Sequence, residues 1–197
     1  AYHGGIRRGG AFEMKQVTWA MKHALKSAER SGDLERVQTL SAQDLHDWFR
    51  RLPWARGRSP LSASPEFEEY LFEQWQHGVF SDYWKQPGLY NEGFYDRFPD
   101  VPTAIVGGGL DPYVLSCLTN YGALSARRRS TVTLLMGPWT HGNRSATHAG
   151  DVDFGPQATL DGNIAHDYLQ MRLDWFGRWL KGETPVVEER RVRFFVM

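Results

Sequence analysis

Two short apolar runs dominate the hydrophobic pattern of the second half of the chain. Residues 101–109, VPTAIVGGG, end in three glycines, and residues 130–138, STVTLLMGP, end in Gly-Pro. Each has the length and bounding residues of a buried strand. Residues 111–128, DPYVLSCLTNYGALSARR, lie between them and read as a helix with Pro112 in its first turn. Strand, helix, strand in that order predicts a crossover unit in a parallel sheet. Further on, residues 163–182 predict an amphipathic helix, with Ile164, Tyr168, Met171, Trp175 and Trp179 on a broad stripe and Gly182 as its stop. Residues 192–197, VRFFVM, begin another strand.

The first hundred residues carry a helical period instead. In residues 11–32 Val17, Met21 and Leu25 share a face beside Met14 and Ala24, and Gly32 ends the helix. SAQD, residues 41–44, resembles a capping box with Asp in place of Glu and opens a helix through Leu52. In residues 64–78 Ser64 is the expected cap, Pro65 the first helical residue and Gly78 the end. A Pro/Ser/Gly-rich connector, residues 53–65, joins the last two.

Composition changes this picture in three ways. Lys plus Arg and Asp plus Glu both total 23, so there is no net field to attract a polyanion, and no nucleic-acid partner is expected. No run of about 18 apolar residues exists, so no membrane-spanning helix is expected. Cys117 is the only cysteine, which rules out an intrachain disulfide and a cysteine-based zinc site, and its apolar setting predicts a core thiol. The chain opens AYHGG without Met and ends in what reads as mid-strand, so a piece of a longer protein is expected.

The candidate chemistry sits just after the two strands. Ligands of parallel α/β sheets bind beyond the carboxyl ends of the strands. Asp111 follows the first strand and His141, in GPWTHGN, follows the second. Adjacent strands stand about 4.8 Å apart, so these two loops can meet. A carboxylate that orients one imidazole nitrogen leaves the other to take a proton. Asp111 also suits a helix cap, alone or alongside that role, and His141 by itself suits a loop. In α/β-hydrolases the nucleophilic serine precedes the acid and the histidine, in a G-x-S-x-G turn. None of the serines from Ser27 to Ser145 sits in that pattern. His148, Asp151 and Asp153, with His141, have ligand chemistry for zinc or manganese but no recognised spacing, and no metal or other cofactor is expected. GGGLD is not the dinucleotide fingerprint G-x-G-x-x-G. His3, His23, His46, His77 and His166 are expected on surfaces.

VPTAIVGGGLDPY, LLMGPWTHGN, DVDFG and LDWFGRWLKGETP…VRFFVM together resemble the cocaine esterase-like (CocE/NonD) acyl hydrolases, relatives of the X-Pro dipeptidyl-peptidases. The resemblance is strong over residues 100–197 and looser over 1–99. It implies an α/β protein made of three parts. Residues 1–99 would be a helical cap, 100–186 the C-terminal part of an α/β-hydrolase core with a parallel sheet, and 187–197 the first strand of a C-terminal jelly-roll β-sandwich. It makes Asp111 the triad acid and His141 the base, with the nucleophilic serine and both oxyanion donors outside this chain. Trp139, Leu110 and Tyr113 would line the substrate pocket, although Trp139 equally suits core packing. Gly109-Leu110 replaces the aromatic pair common before the acid, which bears on substrate preference. The implied partner is a small ester or amide or a short peptide, with a homo-oligomer left open.

Overall fold

The computed structural model describes residues 2–165, 167–184 and 190–197. The chain forms two compact units, Ala1–Leu89 and Tyr90–Met197. His166 and the boundary at residues 186 and 187 lie outside the described residues.

The first unit is helical apart from one short hairpin. Gly9 and Gly10, at φ +55° and +90°, turn the chain so that β1 (Arg7–Arg8) pairs antiparallel with β2 (Ala11–Phe12). Positive φ at both turn residues is cheap for glycine and matches strand twist. Helix α1 (Lys15–Ser31) buries Val17, Ala20, Ala24 and Ala28, a stripe of small residues that lets neighbouring elements approach closely. It ends as expected at Gly32, in a left-handed conformation at φ +70°. Asp33 immediately caps a second helix, α2 (Leu34–Ser41), by accepting from the Arg36 N–H at 3.0 Å. The capping box expected at Ser41 is not formed. Asp44 itself caps α3 (Leu45–Phe49), accepting from His46 N–H at 2.9 Å, and that helix stops before Leu52. A free Asp side chain bonds its own downstream backbone more directly than a serine three residues earlier can.

Helix α4 (Pro65–Gln76) begins at Pro65 as expected, but Ser64 does not cap it through its side chain. Glu68 is turned inward and is 6% exposed. Its carboxylate accepts from Gly57 N–H at 3.0 Å and from the Ser59 hydroxyl at 2.6 Å. Ser59 Oγ in turn accepts from Leu61 N–H at 3.1 Å. One buried carboxylate thus organises the proline-rich connector, and Trp54, Leu61, Leu71 and Phe72 close over α1. Glu68→Gln keeps the volume but turns one acceptor into a donor facing other donors. It should cost about 1–3 kcal/mol, the range for a buried hydrogen bond to a charged group, read as a lower urea midpoint with unchanged slope.

The second unit carries the parallel sheet. Strand β3 (Thr103–Gly108), helix α5 (Val114–Arg127) and strand β4 (Val132–Gly137) form the expected crossover. β3 and β4 pair in parallel from Thr103↔Val132 to Gly108↔Gly137. Side chains alternate across the sheet. Ile105 and Val132 pack with Leu124 of α5 and with Tyr95, whereas Val106 and Leu135 pack with Tyr168 and Met171 of α6 (Tyr168–Phe176). The sheet is therefore covered by a helix on each face, as parallel sheets require. The division between the two units falls between Leu89 and Tyr90. Tyr95 is buried against α5 and donates its hydroxyl to Asn120 Oδ1 at 2.7 Å, which ties residues 91–97 to the sheet unit.

Two expectations about the C-terminal third change. α6 starts at Tyr168 rather than near residue 163, because Asp167 caps it by accepting from Gln170 N–H at 2.8 Å. A π-helical turn, Gly177–Lys181, continues it to Gly182 at φ +75°. The strand anticipated as the opening of a separate β-domain, β7 (Val192–Phe194), pairs parallel with β4 from Leu134↔Val192 to Met136↔Phe194. The sheet order is β3-β4-β7. An apolar strand beside β4 is used for its backbone hydrogen bonds, which periodicity alone does not assign to one sheet or another.

Candidate active site

β3 and β4 end side by side at Gly108 and Gly137, so both loops leave the sheet through the same space. Glycines make this passage open. A Cβ on Gly108 would overlap the carbonyl of Trp139, and one on Gly137 would overlap the Trp139 ring. A Cβ on Gly107 would stand 2.7 Å from Cys117 Sγ. None of the three has a positive φ, so the requirement is close approach and not an unusual backbone conformation. The contact is then fixed by backbone bonds: Gly109 N–H donates to Gly137 O at 2.7 Å and Leu110 N–H to Trp139 O at 3.1 Å.

Asp111 and His141 are brought together by this arrangement. His141 Nδ1 and Asp111 Oδ2 are 2.9 Å apart. The other carboxylate oxygen accepts from Tyr113 N–H at 2.8 Å. Asp111 therefore fixes the turn before α5, whose N-cap is Tyr113 without a side-chain cap bond, and holds the imidazole through its other oxygen. The Asp111 side chain is 11% exposed and the His141 side chain 69%. An ionised carboxylate only accepts, so a neutral imidazole in this bond carries its proton on Nδ1 and its lone pair on Nε2. The Tyr113 ring meets the imidazole edge to face with centroids 5.1 Å apart.

The expected pocket residues separate. Leu110 is 45% exposed and Tyr113 flanks His141. Trp139 is only 2% exposed. Its indole packs with Leu135, Leu160 and Ala165, and its Nε1 donates to Ala158 O at 2.6 Å. It is an anchor beneath the histidine loop and not a pocket wall. A large ring with a single donor reaches its lowest energy where both the ring and the N–H are satisfied, and the core offers both.

The metal reading does not gather its residues. Asp153 lies in the hairpin β5 (His148–Ala149)–β6 (Val152–Asp153) and accepts from Gly155 N–H at 2.9 Å, while His141 is held by Asp111. Among the described residues no three His, Cys, Asp or Glu side chains are placed to share an ion. Among the described residues no serine hydroxyl is hydrogen-bonded to His141. Burial, reinforced by the nearby Asp111 carboxylate, pushes the Cys117 thiol up. The signal that sequence reasoning passed over is the glycine set 107, 108 and 137 as the space for a loop crossing.

A parallel sheet helix-covered on both faces, with an Asp–His pair at its carboxyl edge, is the arrangement of an α/β-hydrolase-like domain. The chain belongs to the X-Pro dipeptidyl-peptidase (S15) family, whose family model matches residues 1–143. That span includes the whole helical unit, where the motif resemblance is looser, and both members of the Asp–His pair. DVDFG and the WLKG helix lie beyond it. No curated protein sequence matches the chain. Family membership makes the protein a hydrolase of the peptidase or esterase kind.

Gly108→Ala should disrupt the site through the loop crossing. Overpacking of this kind costs about 1–3 kcal/mol. The melting temperature should fall, and the NMR signals of His141 and Leu110 should move while those of α1 stay in place.

Proposed function

We propose that the protein is a serine hydrolase of esters or amides, of the cocaine esterase-like or X-Pro dipeptidyl-peptidase kind, in which Asp111 and His141 are the acid and base of a triad. The nucleophilic serine comes from a segment outside these 197 residues, since no serine here sits in the elbow pattern. The observation that carries this reading is the 2.9 Å bond between Asp111 Oδ2 and His141 Nδ1 at the carboxyl edge of the sheet.

In this mechanism His141 Nε2 takes the serine hydroxyl proton as the serine oxygen bonds to the acyl carbon. The tetrahedral intermediate collapses, and the leaving alkoxide or amine receives that proton from Nε2. Water then attacks the acyl-enzyme, again giving its proton to Nε2, and the acid product leaves as the serine is reprotonated. Asp111 stays ionised throughout and stabilises the imidazolium. Its low exposure strengthens that effect, because the carboxylate is shielded from competing water. The exposed face of His141 is where the serine and acyl group approach, with Tyr113 beside it.

Asp111→Asn separates this from a purely structural role. The amide keeps its volume and the bond from Tyr113 N–H, so a structural cap loses little. In the protein that carries the serine, the catalytic role predicts a loss of kcat of at least about 10²-fold on a short-chain activated ester, with an unchanged thermal melt. Activity within threefold of the parent would leave Asp111 only the role of fixing the turn before α5. The 197-residue chain by itself should take up no stoichiometric fluorophosphonate. Labelling of any serine within it would place the nucleophile here and overturn the assignment.

A further inference from the structure

Val106, Leu135 and Arg193 stand in register across β3, β4 and β7. The first two belong to the apolar face under α6, and the third position of the same row is an arginine. Arg193 is half-buried. Among the described residues no carboxylate lies within ion-pair distance of it. A guanidinium with no ion-pair partner among the described residues keeps its paired N–H donors available to an anion.

The space in front of Arg193 fits such a ligand. A cavity of about 540 Å³ lies between this sheet face and α6, within the usual range for small-molecule sites. Leu135, Met171 and Trp175 give it an apolar wall, and Arg172, Arg190 and Arg193 line it as well. Among the described residues Asp174 is the one acid in the lining, and its Oδ1 already accepts from Gln170 Nε2 at 2.7 Å. Neither Asp111 nor His141 reaches it.

We propose that this cavity binds a small anionic amphiphile, a monocarboxylate on a medium-length aliphatic tail. The carboxylate pairs with the guanidinium fork of Arg193, supported by Arg190, and the tail lies against Leu135, Met171 and Trp175. A guanidinium matches a carboxylate with two parallel hydrogen bonds. Asp174 disfavours a second negative charge, which selects a carboxylate over a phosphate dianion.

The test is calorimetric titration of the 197-residue chain with decanoate, 1-decanol and decyltrimethylammonium below their micelle concentrations, at low and high salt. Decanoate should bind one to one, at least about tenfold tighter than decanol, and weaken with salt, while the cation should not bind, since hydrogen bonds to charged groups distinguish headgroups by that much. Arg193→Gln should weaken decanoate about tenfold and leave decanol unchanged, and Met171→Trp should block both by filling the cavity. Equal affinity for decanoate and decanol would overturn the proposal. So would a folded Arg193→Gln or Met171→Trp chain that binds decanoate as the parent does. If neither variant folds, the three-headgroup comparison on the unaltered chain decides it.

Discussion

Two parallel strands that end at the same level force their loops to compete for one volume, and the whole site depends on how that competition is resolved. Here the backbone of the Trp139 segment occupies the place where a side chain on Gly108 would be. The crossing is locked by two backbone bonds, from Gly109 to Gly137 and from Leu110 to Trp139. Only with the loops this close does a carboxylate three residues past one strand meet an imidazole four residues past the other. The glycines, which supply no side chain of their own, are what set the distance between Asp111 and His141.

Trp139 supplies the complementary force. Burying an aromatic side chain stabilises by a few kcal/mol, and its Nε1 bond to Ala158 O fixes the ring's orientation. The loop is therefore held from below by packing and from the side by backbone hydrogen bonds, while His141 stays exposed at its tip. Gly142, at φ +79°, then turns the chain away, so the imidazole is not covered by the next residues. A rigid base beneath an accessible imidazole suits a group that must receive and return a proton without moving far.

The crossover unit was legible because each of its parts has a long signal: two apolar runs of strand length, a helix between them, and chemistry-bearing residues placed just past the strand ends. Elements without such length escaped. The hairpin of β1 and β2 has two residues per strand, too few to show a period, and Gly9-Gly10 was its only mark. The helix at Leu34–Ser41 follows α1 so directly that the Gly32-Asp33 pair must be read as a stop and a start at once. Trp139 was ambiguous because proximity in sequence to His141 says nothing about which way a ring turns; the partner at Ala158 is remote in the chain. The place of β7 in the parallel sheet was likewise invisible, since an apolar strand does not announce its neighbour. The meeting of Asp111 and His141 was legible because an Asp and a His at adjacent strand ends need only the topology to be right.

The site turns on the tautomer of His141, with its proton on Nδ1 toward Asp111 and its lone pair on Nε2. Long-range ¹H–¹⁵N correlation spectra of the ¹⁵N-histidine-labelled protein, recorded where the imidazole is neutral, read this directly. The expected result is the Nδ1–H tautomer for His141, reverting to the commoner Nε2–H form in Asp111→Ala. An Nε2–H tautomer in the unaltered protein, insensitive to Asp111, would contradict it.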